Sequence, residues 1–152
     1  MRHGWLFLLV ILTASSILLA CGPSTGPTES PAGPTESRPW KVVYASDDPG
    51  SFMLPGNLLV GVDFGREISR EEQNEFKGKA KITDGKGKGY ECMGSMTGSS
   101  MTVTRGGKTY AFGPTMFFAF NVESGVPRYS FIFEDWSPVD LGNPFSQPIY
   151  SP

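Results

Sequence analysis

Met116-Phe117-Phe118-Ala119-Phe120-Asn121-Val122 is the stretch whose reading decides the fold. Met116, Phe118, Phe120 and Val122 alternate with their neighbours. That period of two is the signature of a β-strand burying one face. The pattern recurs downstream, where Tyr129, Phe131 and Phe133 line one face and Ile132 the other. Upstream, Trp40, Val42 and Tyr44 are expected to share a face, as are Leu58, Val60, Val62 and Phe64. Ala80 and Ile82 point one way on a third strand, with Lys77, Lys79 and Lys81 pointing the other way. Tyr90 and Cys92, Met101 and Val103, and Tyr110 and Phe112 mark further short strands. Thr83-Asp84-Gly85, Gly106-Gly107 and Gly113-Pro114 separate them as turns.

This spacing predicts an all-β protein, an antiparallel β-sandwich of about seven to eight strands. A short helical turn is expected near 70–76, opened by a capping box between Ser69 and Glu72. The sandwich should occupy residues 39–142. The tail 143–152 carries Pro144, Pro148 and Pro152 without a strand pattern, and should run extended over the surface.

Ile82-Thr83-Asp84-Gly85-Lys86-Gly87-Lys88-Gly89-Tyr90 resembles the Asp-x-x-Gly-x-x-Tyr hairpin of telokin-like, immunoglobulin-fold domains of bacterial lipoproteins. Gly113-Pro114, then Phe118 to Val122 and Tyr129 to Phe133, resemble the closing strands of that group. The resemblance covers roughly Leu58 to Glu134 and implies an immunoglobulin-like sandwich with no catalytic residues. The acidic segment Glu67 to Glu75 departs from the pattern, which has a short Asn-rich turn there.

The first residues carry an address. Met1 to Gly4 include one Arg, and Trp5 to Leu19 are almost all apolar. That run is short for a spanning helix, which takes roughly 20 residues, and fits a signal peptide over residues 1–20. It ends in Leu18-Leu19-Ala20-Cys21, which resembles the lipobox of bacterial lipoproteins. The resemblance implies cleavage before Cys21 and attachment of acyl chains such as palmitate to that cysteine. The domain would then hang from a bacterial cell membrane or outer membrane and face the extracytoplasmic side. Gly22 permits the outer-membrane destination, since retention at the inner membrane often follows an Asp there.

Residues 21–38 read as the linker. Gly26-Pro27-Thr28-Glu29-Ser30 recurs as Gly33-Pro34-Thr35-Glu36-Ser37, and no large apolar residue interrupts the segment. Such a chain cannot bury enough surface to offset its ordering entropy. At about 3 Å per residue it would reach roughly 50 Å.

Composition narrows the function. The whole chain has a formal charge of −2; without Arg2, twelve basic residues stand against fifteen acidic ones, a charge of −3. That balance disfavours nucleic acid as a partner. His3, the one histidine, lies in the leader. The domain therefore lacks Ser-His and Cys-His pairs, His-ligated zinc and a His proton shuttle. With Cys21 lipidated, Cys92 has no intrachain partner. The reading is a binding module rather than an enzyme, with no cofactor, presented to an envelope protein or glycan.

Four further features have chemical potential. Cys92, Met93, Met96 and Met101 fall within ten residues, and soft sulfur ligands suit Cu(I) in an alternative metal-carrier reading. The simpler reading of the same residues is as core and gap-filling side chains. Lys77, Lys79, Lys81, Lys86 and Lys88 form a dense stripe for an anionic surface, or else the solvated face of an edge strand. Asp47, Asp48 and Asp63, or Glu134, Asp135 and Asp140, offer oxygen ligands without calcium-loop spacing. Trp40 and Trp136 flank the domain, and either would serve as a surface aromatic for sugar or a partner; the core is the simpler place for Trp40.

Overall fold

A computed structural model describes residues 37–152. The expected leader 1–20, Cys21 and the linker up to residue 36 lie outside the described residues. The strands are β1 (Lys41–Ser46), β2 (Leu58–Asp63), β3 (Ala80–Asp84), β4 (Gly89–Gly98), β5 (Met101–Arg105), β6 (Lys108–Phe112), β7 (Thr115–Phe120), β8 (Tyr129–Phe133), β9 (Val139–Gly142) and β10 (Ile149–Tyr150). A 3-10 turn, Pro49–Phe52, follows β1, and one helix, α1 (Arg70–Lys79), precedes β3.

Eight strands hydrogen-bond in the order β10-β1-β2-β7-β4-β3-β8-β9, and β5 and β6 form a separate hairpin. Every pairing is antiparallel. The all-β antiparallel architecture expected from the alternation is present, with ten strands where about seven to eight were expected. The two layers are continuous through β4. Its first residues pair with β3 and its remainder with β7, and a register shift between Cys92 and Gly94 marks the change. An extra residue in one strand bends it, which lets one sheet fold onto itself.

Between the layers lie Leu58, Val60, Val62, Met116, Phe118 and Phe120 from one side and Ala80, Ile82, Tyr129, Phe131 and Phe133 from the other. Phe131 meets Trp40, Phe118 and Phe120 at ring separations of 6.0, 5.7 and 6.4 Å. Each such side chain, fully buried, contributes roughly 1.5–3 kcal/mol before the entropy of ordering it.

The alternation is right on this inner face and incomplete on the other. Leu59, Phe117 and Ala119 are buried as well, against Val43, Tyr44, Val103 and Phe112. The β5–β6 hairpin and the 3-10 turn cover that outer face, so β7 is buried along its whole length. Gly61 makes this possible. A Cβ there would lie 2.8 Å from the Phe117 ring and 2.9 Å from the Tyr44 Cβ.

Tyr44 does not share a face with Trp40 and Val42. The register shifts between Val42 and Tyr44, so Trp40 and Ala45 join the inner core while Val43 and Tyr44 join the outer one. A bulge of one residue reverses the facing of everything beyond it.

The helix begins as expected: Ser69 Oγ accepts from the Glu72 amide, and the Glu72 carboxylate accepts from the Ser69 amide. It continues past residue 76 to Lys79. Phe76 packs against Phe64 and Phe133, at 5.0 and 5.2 Å, and ties the helix to the inner core.

The tail is extended but not free of the sheet. Phe145 packs on Tyr129 at 5.7 Å, and Ile149–Tyr150 pairs with β1. Tyr150 stacks on Tyr110 of the hairpin at 4.7 Å.

Candidate functional site

The sulfur residues do not converge. Cys92 packs against the inner core, whereas Met96 and Met101 pack against the outer one, on the opposite face of the sheet. Met93 is 48% exposed at the bend of β4. The stretch Met93–Gly98, rich in Gly, Ser and Thr, is strand, with Gly94 to Gly98 paired to β7. In a regular strand Cys92 and Met96, four residues apart, would share a face; the register shift between Cys92 and Gly94 puts them on opposite faces, and Met101 lies on β5. The Cys92 Sγ donates to the Gly94 carbonyl at 3.1 Å, and burial pushes its thiol up from the ordinary range. Among the described residues, no group of three or more His, Cys, Asp or Glu is placed to hold a metal ion.

The lysines do not form one stripe. Lys77 and Lys79 lie in the last turn of α1, not on a strand, where a cation favours the negative end of the helix dipole. Lys81 sits on β3 opposite Glu91, 3.1 Å away. Lys88 pairs with Glu123 at 3.2 Å and lies over the Tyr90 ring. The Lys86 amide is tied into the turn after β3.

That turn explains the Asp84-Gly87-Tyr90 spacing. One Asp84 carboxylate oxygen accepts from the Lys86 and Lys88 amides at 2.8 and 2.9 Å, and the other from the Tyr90 hydroxyl at 3.3 Å. Burial works to raise the carboxyl; these hydrogen bonds outweigh it and hold it below its ordinary range. Gly87 takes a φ of +85°. These residues shape a turn rather than a binding site.

Asp48 caps the 3-10 turn by accepting from the Ser51 amide and hydroxyl. Arg105 of the hairpin reaches Asp47 and Asp48 at 3.3 and 3.1 Å. Asp140 is paired with Arg128. Asp63 accepts from the Gly65 amide at 2.6 Å and Glu134 pairs with Lys79, so of the acidic groups considered for calcium only Asp135 has no such partner among the described residues.

Asp135 borders a depression in the surface. An open cleft of about 720 Å³ is lined by Lys79, Lys81, Glu134, Asp135 and Trp136. A recess of about 210 Å³ shares Glu134 and Trp136 with it and adds Phe76, Phe133, Pro39 and Trp40 among its walls. The cleft is made where the last turn of α1 meets the end of β8. The Glu134 amide donates to the Lys79 carbonyl at 3.2 Å, and the Trp136 amide to the Phe133 carbonyl at 3.3 Å. Glu134 adopts a φ of +52°, rare for a residue other than glycine. Its carboxylate and that of Glu75 hold the Lys79 ammonium, which raises the Lys79 pKa.

Trp40 is 5% exposed and belongs to the core. Trp136 is half-buried, anchored on the inner core and bordering the cleft. Sequence reasoning singled out Trp136, Lys79 and Lys81 separately, and Glu134 and Asp135 only as oxygen ligands. No local signal joins them, because Lys79 and Glu134 are 55 residues apart.

Comparison of the chain with protein-family models, curated proteins and solved structures finds no match.

Proposed function

We propose that this chain is a lipid-anchored extracytoplasmic binding module. Cys21 carries the lipid, residues 21–38 give reach, and the β-sandwich presents a ligand-binding surface at a bacterial cell envelope without performing chemistry. The observation that carries the reading is Leu18-Leu19-Ala20-Cys21 at the end of an apolar leader, followed by a Pro/Ser/Thr linker. The likeness of the hairpin and closing strands to telokin-like, immunoglobulin-fold lipoprotein domains supports it. So does the kind of surface the domain offers: a rigid two-layer scaffold with an open cleft at one edge. No helix among the described residues is long and apolar enough to cross a membrane.

The test is fractionation of bacteria expressing the chain and its Cys21→Ser variant. The wild type should sediment with membranes and incorporate labelled palmitate. The variant should incorporate none, and should appear as an uncleaved precursor or as protein released from membranes. A variant processed and membrane-bound like the wild type would overturn the reading.

A further inference from the structure

We propose that the Trp136 cleft binds a neutral oligosaccharide. The proposal rests on the binding-module reading and names the ligand class for it.

The chemistry of the lining comes first. Trp136 is the one apolar residue on the cleft wall, among two lysines and two carboxylates. A sugar ring has an apolar C–H face and a rim of hydroxyls that both donate and accept. It is matched by a single aromatic platform with ammonium donors and carboxylate acceptors beside it.

Charge points the same way. Lys79 and Lys81 balance Glu134 and Asp135, so the lining is formally neutral. Lys79 is already bound by Glu75 and Glu134, and Lys81 by Glu91. An anionic ligand would have to displace those carboxylates, whereas a hydroxyl can bridge between them. Asp135 forms no ion pair among the described residues, and its two oxygens can accept from adjacent hydroxyls of one sugar.

The cleft is also preformed. Trp136 is held by its packing on the inner core and by the hydrogen bond its amide donates to the Phe133 carbonyl. Glu134 is held by the hydrogen bond its amide donates to the Lys79 carbonyl and by the ion pair between their side chains at 2.8 Å. A platform already in place lowers the ordering cost of binding. The cleft's volume lies within the range of small-molecule sites, roughly 300–1,000 Å³, and its openness suits a chain that extends beyond one ring.

The test uses the full chain in a non-glycosidic detergent. Cellotriose, maltotriose, mannotriose and N,N′,N″-triacetylchitotriose are titrated in turn, with trigalacturonate as the anionic comparison, by calorimetry and indole fluorescence. At least one neutral trisaccharide should bind saturably, with Kd below about 5 mM, and more tightly than trigalacturonate. Asp135→Asn should weaken that binding by about tenfold or more. Trp136→Ala should abolish the fluorescence change, and Lys86→Ala, outside the cleft, should bind as the wild type does. Trp136 also packs on the core, so the exposed Asp135 variant decides the outcome. Failure of every neutral trisaccharide, tighter binding of trigalacturonate, or full affinity in Asp135→Asn would overturn the proposal. Membrane attachment of the wild type and its loss in Cys21→Ser are read separately, so a failure here is distinguishable from failure of the anchor reading.

Discussion

Asn57→Ala is expected to loosen the seam between β2 and the chain leaving β7. The Asn57 amide donates to the Phe120 carbonyl at 2.9 Å. Its side chain then copies a strand: Nδ2 donates to the Val122 carbonyl and Oδ1 accepts from the Val122 amide, both at 2.8 Å. Val122 is 4% exposed, so truncation strands a backbone donor and acceptor beside the core. At about 1–1.5 kcal/mol for each lost bond, the cost is about 2–3 kcal/mol. For a domain of this size that is a fall in Tm of roughly 8–15 °C. Asn57→Asp separates the hydrogen bonds from the volume. At neutral pH the carboxylate still accepts from the Val122 amide but sets a second oxygen against the Val122 carbonyl. It should be no better than alanine, and should recover in part below about pH 4, when a protonated carboxyl can donate. The assay is denaturant unfolding followed by far-UV dichroism and tryptophan emission. A loss below about 0.5 kcal/mol in Asn57→Ala, or a wild-type Asn57→Asp at neutral pH, would refute the reasoning.

Three other outcomes are expected. Gly56→Ala should fold poorly: φ is +112°, and a Cβ would lie 2.7 Å from the Phe120 carbonyl carbon and closer still to its oxygen, so expression and Tm should both fall well below wild type. Acid should destabilise the domain. Arg66 and the Ser69 amide lower the Glu72 carboxyl from 4.5 to about 2, and Asp48, Asp84 and Asp140 are lowered as well. Carboxyls depressed in the folded state stabilise it above their unfolded pKa, and that contribution is lost as pH falls toward their folded values. Tm should therefore drop between about pH 4.5 and pH 2, and Arg66→Met should flatten the part due to Glu72; a pH-independent Tm over that window would count against these contacts. Cys92 should react slowly with an aromatic disulfide reagent at neutral pH and at least about tenfold faster after unfolding, because burial keeps it a thiol. Added Cu(I) should not change the slow rate; protection by copper would favour a metal site over packing.

Period-two alternation was enough to place Leu58, Val60, Val62, Met116, Phe118, Phe120, Phe131 and Phe133 in one core. It could not show that β7 is buried on both faces, because covering Phe117 and Ala119 depends on where the β5–β6 hairpin lands. It misplaced Tyr44 because a bulge leaves no mark in a short apolar run. Lys77-Gly78-Lys79-Ala80-Lys81 alternates like a strand, yet its first three residues are helical; the capping box and the Phe76 contact carry α1 that far. Met93 to Gly98 has a Gly-, Ser- and Thr-rich composition that does not signal a strand, and pairing of Gly94 to Gly98 with β7 holds it as one. The cleft was the least legible feature. Its parts come from α1, β3 and the turn after β8, and only the fold puts Lys79 beside Glu134 and Trp136.

Intact-mass spectrometry of the protein extracted from membranes tests the central claim most directly. The account predicts a polypeptide beginning at Cys21 with the added mass of a thioether-linked diacylglycerol, with or without a further amide-linked acyl chain. A membrane-bound species that retains residues 1–20, or one that begins at Cys21 with no lipid mass, would contradict it.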